Sequence, residues 1–317
     1  MNIDAKTQKF GIIGYPLGHT YSPAMHNAAF DAMGINAVYL VFQTKNLLQL
    51  KHSLKQLQVQ GLSVTIPYKV RIRNLVDKID PLALQIGSVN TVVQNKEGLF
   101  EGYNTDGLGA VHAIEESGFD LRKKKVLIIG SGGSARAIAF AILKKNPERI
   151  GFLARNKKVA LQLARTLRIE KQAVQYELIH YPGGATARRI QRKAAKKAAS
   201  TPRKKRFNMI EQSVLETTGQ LADYDLVINT TPLGMAGYST ESPLAKEFLH
   251  KHQVLFDIVY NPSLTPLLKA AKAKKLEIIY GYKMLLYQGA LQFKLFTGED
   301  APIEVMQRVL KKELQKK

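Results

Sequence analysis

The chain has 317 residues, 45% of them hydrophobic, with 47 Lys and Arg against 25 Asp and Glu, a formal net charge of +22 and no cysteine. That length suits two domains with cores of their own, and the lack of cysteine excludes disulfides, thiolate catalysis, iron–sulfur clusters and Cys-ligated zinc. The first ten residues carry no apolar signal segment, and no run reaches the roughly 18 apolar residues of a membrane span, so a cytoplasmic protein is expected.

Residues 10–14 read as a strand ending in a Gly-Tyr-Pro turn. Ser22 and Pro23 then open a helix, Ser as N-cap and Pro in the first turn, with Met25, Ala28, Ala29, Phe30 and Met33 at helical spacing. His19 and His26 read as polar residues of a turn and a helix face, and no pair of histidines has metal-ligand spacing, so no metal is expected. Residues 37–42 form a second strand. Residues 47–60 are an amphipathic helix stopped by Gly61, and 62–66 a third strand closed by Pro67. Residues 89–93 and the segment after Asn95-Lys96-Glu97-Gly98 read as a hairpin. Residues 125–129 are an apolar strand followed at once by Gly130-Ser131-Gly132-Gly133-Ser134-Ala135-Arg136 and a helix over 137–143. A strand at 149–153 and a helix through Leu167 follow. Residues 181–206 then carry ten Lys and Arg and no Asp or Glu. Strands at 225–229 and 254–258 precede a tail, from Gly281 on, that is helical by pattern. Strands alternating with helices give an α/β class with mainly parallel sheets.

Gly130-x-Gly132-x-x-Ala135 follows a strand and opens a helix, the setting in which a glycine-rich turn cradles a dinucleotide. The first Gly permits the tight turn, the second lets backbone N–H groups approach a pyrophosphate, and the small third residue lets helix and strand pack closely. An ordinary strand-to-helix turn is the alternative. About 20 residues on, an NAD site offers a carboxylate to the ribose 2′-hydroxyl; here the chain reads Leu153-Ala154-Arg155-Asn156-Lys157-Lys158. A guanidinium pairs bidentately with a 2′-phosphate and no carboxylate repels it, so NADP (NADPH) is favoured over NAD. A solvated basic turn would leave that choice open.

Lys69, closing Val64-Thr65-Ile66-Pro67-Tyr68-Lys69, and Asp106, in Asn104-Thr105-Asp106-Gly107, are the candidate chemistry, facing the glycine-rich turn across an expected cleft. Oxidising an alcohol requires a proton acceptor on the hydroxyl while hydride leaves carbon, and a desolvated Lys with a carboxylate partner does this without a metal. Taken singly, most lysines are surface charges.

These segments, with Gly14-Tyr15-Pro16-Leu17-Gly18-His19-Thr20-Tyr21-Ser22-Pro23, His26-Asn27, Gly87-Ser88-Val89-Asn90-Thr91, Asn229-Thr230-Thr231-Pro232-Leu233-Gly234-Met235, Asp257-Ile258-Val259-Tyr260-Asn261-Pro262 and Gly281-x-x-Met284-Leu285-x-x-Gln288, resemble in order the motifs of the shikimate dehydrogenase family, quinate/shikimate dehydrogenases included. The resemblance implies an α/β substrate domain of residues 1–106 plus 282–317 and a Rossmann-like NADP domain of 107–281, the C-terminal helices returning to the first domain. It implies Lys69 and Asp106 as catalytic residues, and Thr20, Ser22, Thr65, Asn90, Tyr260 and Gln288 as substrate-binding. On the cofactor side it implies Gly130, Gly132, Gly133, Ala135, Arg155, Asn156, Thr230, Gly281 and Met284. The implied reaction is the reversible NADPH-dependent reduction of 3-dehydroshikimate to shikimate in aromatic amino-acid (chorismate) biosynthesis. A quinate/shikimate dehydrogenase using NAD or NADP is the alternative, and an inactive dehydrogenase body carrying a binding insert a remoter one. Thr20 and Ser63 stand where the family has Ser and Asn, which bears on shikimate against quinate; Ala154 stands where Asn is common, on the adenine side. The family holds monomers and homodimers, and its partner is a small-molecule substrate, with no membrane implied.

The family joins the Arg155 and Asn229 segments with fewer residues, so about 30 residues within 169–208 are expected as a basic insertion, with a helix near 188–199 flanked by Gly183-Gly184 and Pro202. A solvated loop, a nucleic-acid or acidic-protein contact through 188–206, and a cofactor-phosphate or oligomer role are its readings.

Overall fold

The computed structural model describes residues 3–18, 20–170, 175–179 and 221–316; His19, the basic stretch at 181–206 and the helix expected at 188–199 lie outside the described residues. The chain divides into two compact units, one of Met1–Ala113, Arg136–Phe140 and Tyr282–Lys317, the other of Ile114–Ala135 and Ala141–Gly281.

In the first unit, β1 (Gln8–Gly14), α1 (Ser22–Ala32), β2 (Ala37–Gln43), α2 (Leu50–Gln56) and β3 (Val59–Val64) form a parallel half. Then come β4 (Lys78–Ile79), α3 (Pro81–Ile86), β5 (Thr91–Gln94), β6 (Phe100–Tyr103) and α4 (Asp106–Glu116). The expected hairpin is β5 and β6, antiparallel to each other, with β5 antiparallel to β3. The sheet order is β2-β1-β3-β5-β6-β4, so this sheet is mixed rather than uniformly parallel.

Three local expectations shift. Ser22 does not cap α1: the helix already starts at Ser22, so Tyr21 holds the N-cap position and no side chain caps it. The helix expected over 47–60 shrinks to α2, and β3 begins before Gly61 rather than after it. Gly61 is a strand residue with a packing role, since a Cβ there would lie 2.6 Å from the Phe296 ring. Two unforeseen helices matter for the site, α4, which Asp106 opens, and α3. Asp80 caps α3 by accepting from Leu82 N and Ala83 N at 2.9 and 3.1 Å, Pro81 fills the first turn, and Gly87 at φ 74° ends it, delivering the chain into Ser88–Asn90.

Phe10 and Ile13 differ in parity on β1 and so face opposite sides of the sheet. Phe10 joins an aromatic cluster, with ring centroids 5.5 Å from Phe30 and 5.0 Å from Phe296. Ile13 joins a core of Leu54, Leu62, Tyr68, Val92 and Phe100. The helical tail is two helices, α8 (Gly281–Thr297) and α9 (Ile303–Gln315), parted at Gly298 (φ 81°) and Pro302; α9 packs on α1.

The second unit comprises β7 (Lys125–Ile129), α5 (Gly133–Leu143), β8 (Arg149–Leu153), α6 (Lys157–Glu170), β9 (Gln175–Ile179), β10 (Leu226–Asn229), β11 (Val254–Asp257), α7 (Pro266–Ala273) and β12 (Glu277–Tyr280). Helix numbers count the described residues. Its sheet is parallel throughout, in the order β12-β11-β10-β7-β8-β9. The order reverses between β7 and β10, the topological switch point where α/β sheets bind ligands. β9, inside the stretch expected as an insertion, is a regular edge strand paired with β8. Among the described residues no helix is long and apolar enough to cross a membrane.

Gly61→Ala is expected to cost about 1–3 kcal/mol by overpacking against Phe296, read as a lower urea midpoint at unchanged slope; an unchanged midpoint would show that the ring gives way freely.

Candidate active site

Four segments of the first unit bring polar groups to one place. Beyond β3 the chain turns at Thr65, whose N–H donates to Ile13 O at 3.0 Å, and runs to Lys69, whose carbonyl accepts from Val89 N at 2.8 Å. The buried Tyr68 between them donates its hydroxyl to Thr44 O at 2.7 Å. Lys69 is therefore held on both sides. Its Nζ lies 2.5 Å from Asp106 Oδ2, with the two side chains 20% and 4% exposed. Asp106 opens α4, at the end where helix dipoles favour an anion, and its N–H donates to Asn104 Oδ1 at 3.1 Å. Asn104 is pinned in turn, donating to Ser88 O at 2.8 Å.

Asn90 stands at the centre. Its Nδ2 donates to Asp106 Oδ1 at 2.8 Å and Thr105 Oγ1 at 2.9 Å, with Gln288 Oε1 at 3.4 Å. Gln288 comes from α8, far along the chain. A Cβ on Gly109 would lie 2.6 Å from Gln288 N, so the glycine lets α4 and α8 touch, and Thr105 Oγ1 donates to Gln288 O at 3.1 Å across that contact.

The structure thus brings Lys69, Asp106, Asn90 and Gln288 together. Thr20 is half-buried, its Oγ1 accepting from Ser22 N at 3.3 Å. Tyr260 follows β11 in the second unit. Met284 is buried, and Gly281 packs so tightly that a Cβ would lie 2.5 Å from Val259 O.

In the second unit, Gly130 has φ 117°, and a Cβ there would lie 2.5 Å from Thr230 Oγ1. Thr230 is held against the turn, donating Oγ1 to Ile129 O at 2.6 Å. Gly132 is the N-cap of α5 with no side chain capping it, and a Cβ there would meet open space. Gly133 begins α5 and Ala135 is fully buried. Open N–H groups at a helix start are what a pyrophosphate requires, so these residues fit a dinucleotide. Arg155 and Asn156 are exposed beyond β8; Asn156 Oδ1 accepts from Val159 N at 3.2 Å, at the start of α6.

Several residues escaped the motif reading. Gln292, four positions and about one helical turn after Gln288, donates to Asn90 O and Thr91 Oγ1, both at 3.1 Å; the i, i+4 spacing of two glutamines is the signal that could have found it. Ser63, read as a departure near the substrate, is buried, accepting from Tyr39 OH and donating to Gln292. Asp257, buried at the end of β11, accepts from Asn229 Nδ2 at 2.9 Å, Val259 N at 3.1 Å and Thr265 Oγ1 at 2.7 Å. Burial pushes its pKa up to about 6 against those bonds. Its signal was an acid closing an apolar strand. His26, expected on a polar helix face, is fully buried, stacked on Tyr39 at 4.4 Å and 5°. Neither ring nitrogen has a hydrogen-bond partner. Burial pushes its pKa down to about 3, with nearby Gln292 opposing. Among the described residues no group of three or more His, Asp or Glu could hold a metal ion.

The family model for the shikimate dehydrogenase substrate binding domain matches residues 12–92, and that for the shikimate 5'-dehydrogenase C-terminal domain matches 281–311. The chain is 36% identical over 315 residues to the shikimate dehydrogenase (NADP(+)) of Methanobrevibacter smithii, covering 98% of this chain and 99% of that one. Among solved structures, a shikimate dehydrogenase in complex with NADP+ matches with a TM-score of 0.81 at 34% identity, over 99% of this chain and 98% of that one. The Listeria monocytogenes shikimate 5-dehydrogenase in complex with shikimate and NAD matches with a TM-score of 0.79 at 27% identity, over 98% of both.

The His26 geometry has a pH consequence. Unfolded, His26 titrates near 6.5; folded, it stays neutral down to about 3. As pH falls the unfolded chain binds the proton first, so stability declines from about 6.5 downwards, by about 2 kcal/mol between pH 7 and 5. His26→Phe is expected to lose about 2 kcal/mol less than wild type over that interval in urea unfolding. Equal losses would assign the acid sensitivity elsewhere.

Proposed function

Because the chain belongs to the shikimate dehydrogenase family, we propose that it catalyses the reversible NADPH-dependent reduction of 3-dehydroshikimate to shikimate in aromatic amino-acid biosynthesis, with Lys69 as the acid/base group. That makes it an NADP-dependent oxidoreductase acting on a small-molecule substrate, and a cytoplasmic setting belongs to the same reading. The observation that carries the assignment of Lys69 is its ion pair with Asp106 in a centre otherwise built of amides and hydroxyls.

In the reducing direction Lys69 Nζ gives a proton to the ketone oxygen, and in the oxidising direction its amine takes the proton back from the hydroxyl. Bound NADPH supplies the hydride to the ketone carbon. Asp106 keeps the lysine head in place and balances its charge, which a mostly buried ammonium needs. Asn90, Asp106 and Gln288 offer donors and acceptors to ring hydroxyls, and Thr20, Ser22 and Thr65 offer hydroxyls to a carboxylate. A substrate lacking those groups leaves polar atoms unpaired at about 1–3 kcal/mol each, which is how such a site selects.

On the second unit, Gly130, Gly132, Gly133 and Ala135 would hold the pyrophosphate, with Thr230 bracing the turn and Asn156 beside Arg155. The exposed Arg155 guanidinium would take a 2′-phosphate. Gly281 and Met284 stay in this reading as cofactor-side residues. Ser63 is committed to Tyr39 and Gln292, which leaves Thr20 as the departure bearing on shikimate against quinate.

Purified protein assayed with shikimate or quinate and NADP or NAD is expected to turn over shikimate with NADP alone. Comparable rates with quinate or NAD would favour the dual-specificity reading, and no turnover from folded protein would end both. Lys69→Ala is expected to abolish turnover while NADP still binds; near-normal turnover would remove Lys69 from the mechanism. Gly130→Ala, strained at φ 117° and crowding Thr230, is expected to weaken NADPH binding about tenfold or more in a fluorescence titration. Unchanged affinity would place the nucleotide elsewhere.

A further inference from the structure

A buried hydrogen-bonded chain leads to the Lys69–Asp106 pair, and the order of its protons is set by a carbonyl. The backbone oxygen of Asn90 can only accept, and it takes a bond from Gln292 Nε2 at 3.1 Å. That orients the Gln292 amide with Oε1 toward Ser63, whose Oγ donates to it at 2.7 Å. Ser63 Oγ must then accept from Tyr39 OH, 2.5 Å away, and burial raises the pKa of that phenol, which keeps its proton. In the other direction Gln292 Nε2 also donates to Thr91 Oγ1 at 3.1 Å, leaving the Thr91 proton for Asn90 Oδ1 at 2.8 Å. Thr105 N donates to the same oxygen at 2.8 Å. With Oδ1 doubly engaged, Asn90 can present only its Nδ2 to Asp106 Oδ1, and Oδ2 is left to Lys69. A flipped Asn90 would set an oxygen against the carboxylate and an NH2 against two donors, so no link reverses alone.

We propose that Thr91, Gln292 and Ser63 are positioning residues for proton transfer: they lock the Asn90 amide in the one orientation that holds Asp106 and leaves its second oxygen to Lys69. The proposal rests on the reading of Lys69 as the acid/base group. Thr91 and Gln292 are 0% and 1% exposed and Ser63 is buried, so all three act through Asn90 rather than on substrate. The other titratable side chain packed on this network is His26, stacked on Tyr39 and neutral above about pH 3.

Thr91→Val deletes the hydroxyl and nearly keeps the shape. Wild-type turnover of shikimate with NADP is the control, and its absence would fail the parent reading rather than this one. Against an active wild type, Thr91→Val is expected to lose about tenfold or more in kcat, the cost of one misoriented buried amide. The KM for NADP stays near wild type, the thermal midpoint falls by a few degrees for the partners left unpaired, and Thr91→Ser returns kcat to within about threefold. Gln292→Met is expected to show the same split. A Thr91→Val kcat within about twofold of wild type overturns the proposal. So does a Thr91→Ser as slow as the valine variant, which would make the methyl group the cause. So does a loss of kcat matched by a rise in the KM for NADP, the pattern of a merely structural role. If Thr91→Val is not recovered folded, Ser63→Ala carries the same comparison of kcat with KM, and a wild-type kcat there counts against the proposal.

Discussion

Asp106 has two carboxylate oxygens and two partners, and the first unit is organised so that the partners do not compete. Oδ1 is held by the Asn90 amide and Oδ2 faces the Lys69 ammonium. A carboxylate this far from water is tolerable as an anion only when it is paired and hydrogen-bonded, and the surrounding elements exist in positions that make both bonds at once. The capped α3 aims the chain into Asn90, the first turn of α4 carries Asp106, and the turn after β3 is tied down on both flanks of Lys69. The glycine at 109 then lets α8 come close enough to supply Gln288 and Gln292. Loosening α4 or the turn after β3 moves a member of the ion pair itself, while loosening α3 or α8 reaches it through Asn90.

How much of this was legible depended on how local the cause was. Lys69, Asp106, Asn90 and Gln288 sit in short motifs whose spacing survives without a fold, and they meet as neighbours. The glycine-rich turn was likewise readable because its geometry belongs to one strand and one helix. Gly61 looked like a helix stop, but its reason is the Phe296 ring, 235 positions away by the numbering. His26 looked polar because nothing nearby in the chain announces the stack of Tyr39 and the α8 phenylalanines that encloses it. Gln292 hid one turn beyond Gln288 in a largely apolar helix, where a second amide reads as an interruption until its partners are known. Ser63 was legible as a departure from a family pattern, while its task, a link between Tyr39 and Gln292, was not.

The second unit meets a different constraint. At its switch point Asp257 ties the end of β10 to the loop after β11, accepting from Asn229, from Val259 N and from the Thr265 that caps α7. The carboxylate is uneasy there, its pKa pushed up to about 6. Since the unfolded chain would give up that proton first, ionisation of Asp257 weighs against this unit as pH rises from about 4 to 6. His26 weighs against the other unit as pH falls. The two units are thus biased in opposite senses, the Asp257 penalty being fully present above about pH 6, where that of His26 fades.

The return of α8 to the first unit also has a consequence in time. Lys69, Asn90 and Asp106 leave the ribosome early, yet Gln288 and Gln292 arrive only after the whole second unit has been made. Until then the Asn90 carbonyl and the Thr91 hydroxyl are without Gln292, and the aromatic cluster around Phe10 is without Phe293 and Phe296. A nascent or truncated chain therefore carries every group of the ion pair but not the scaffold that orders them. Order of synthesis thus separates the ion pair from its scaffold, which waits for α8.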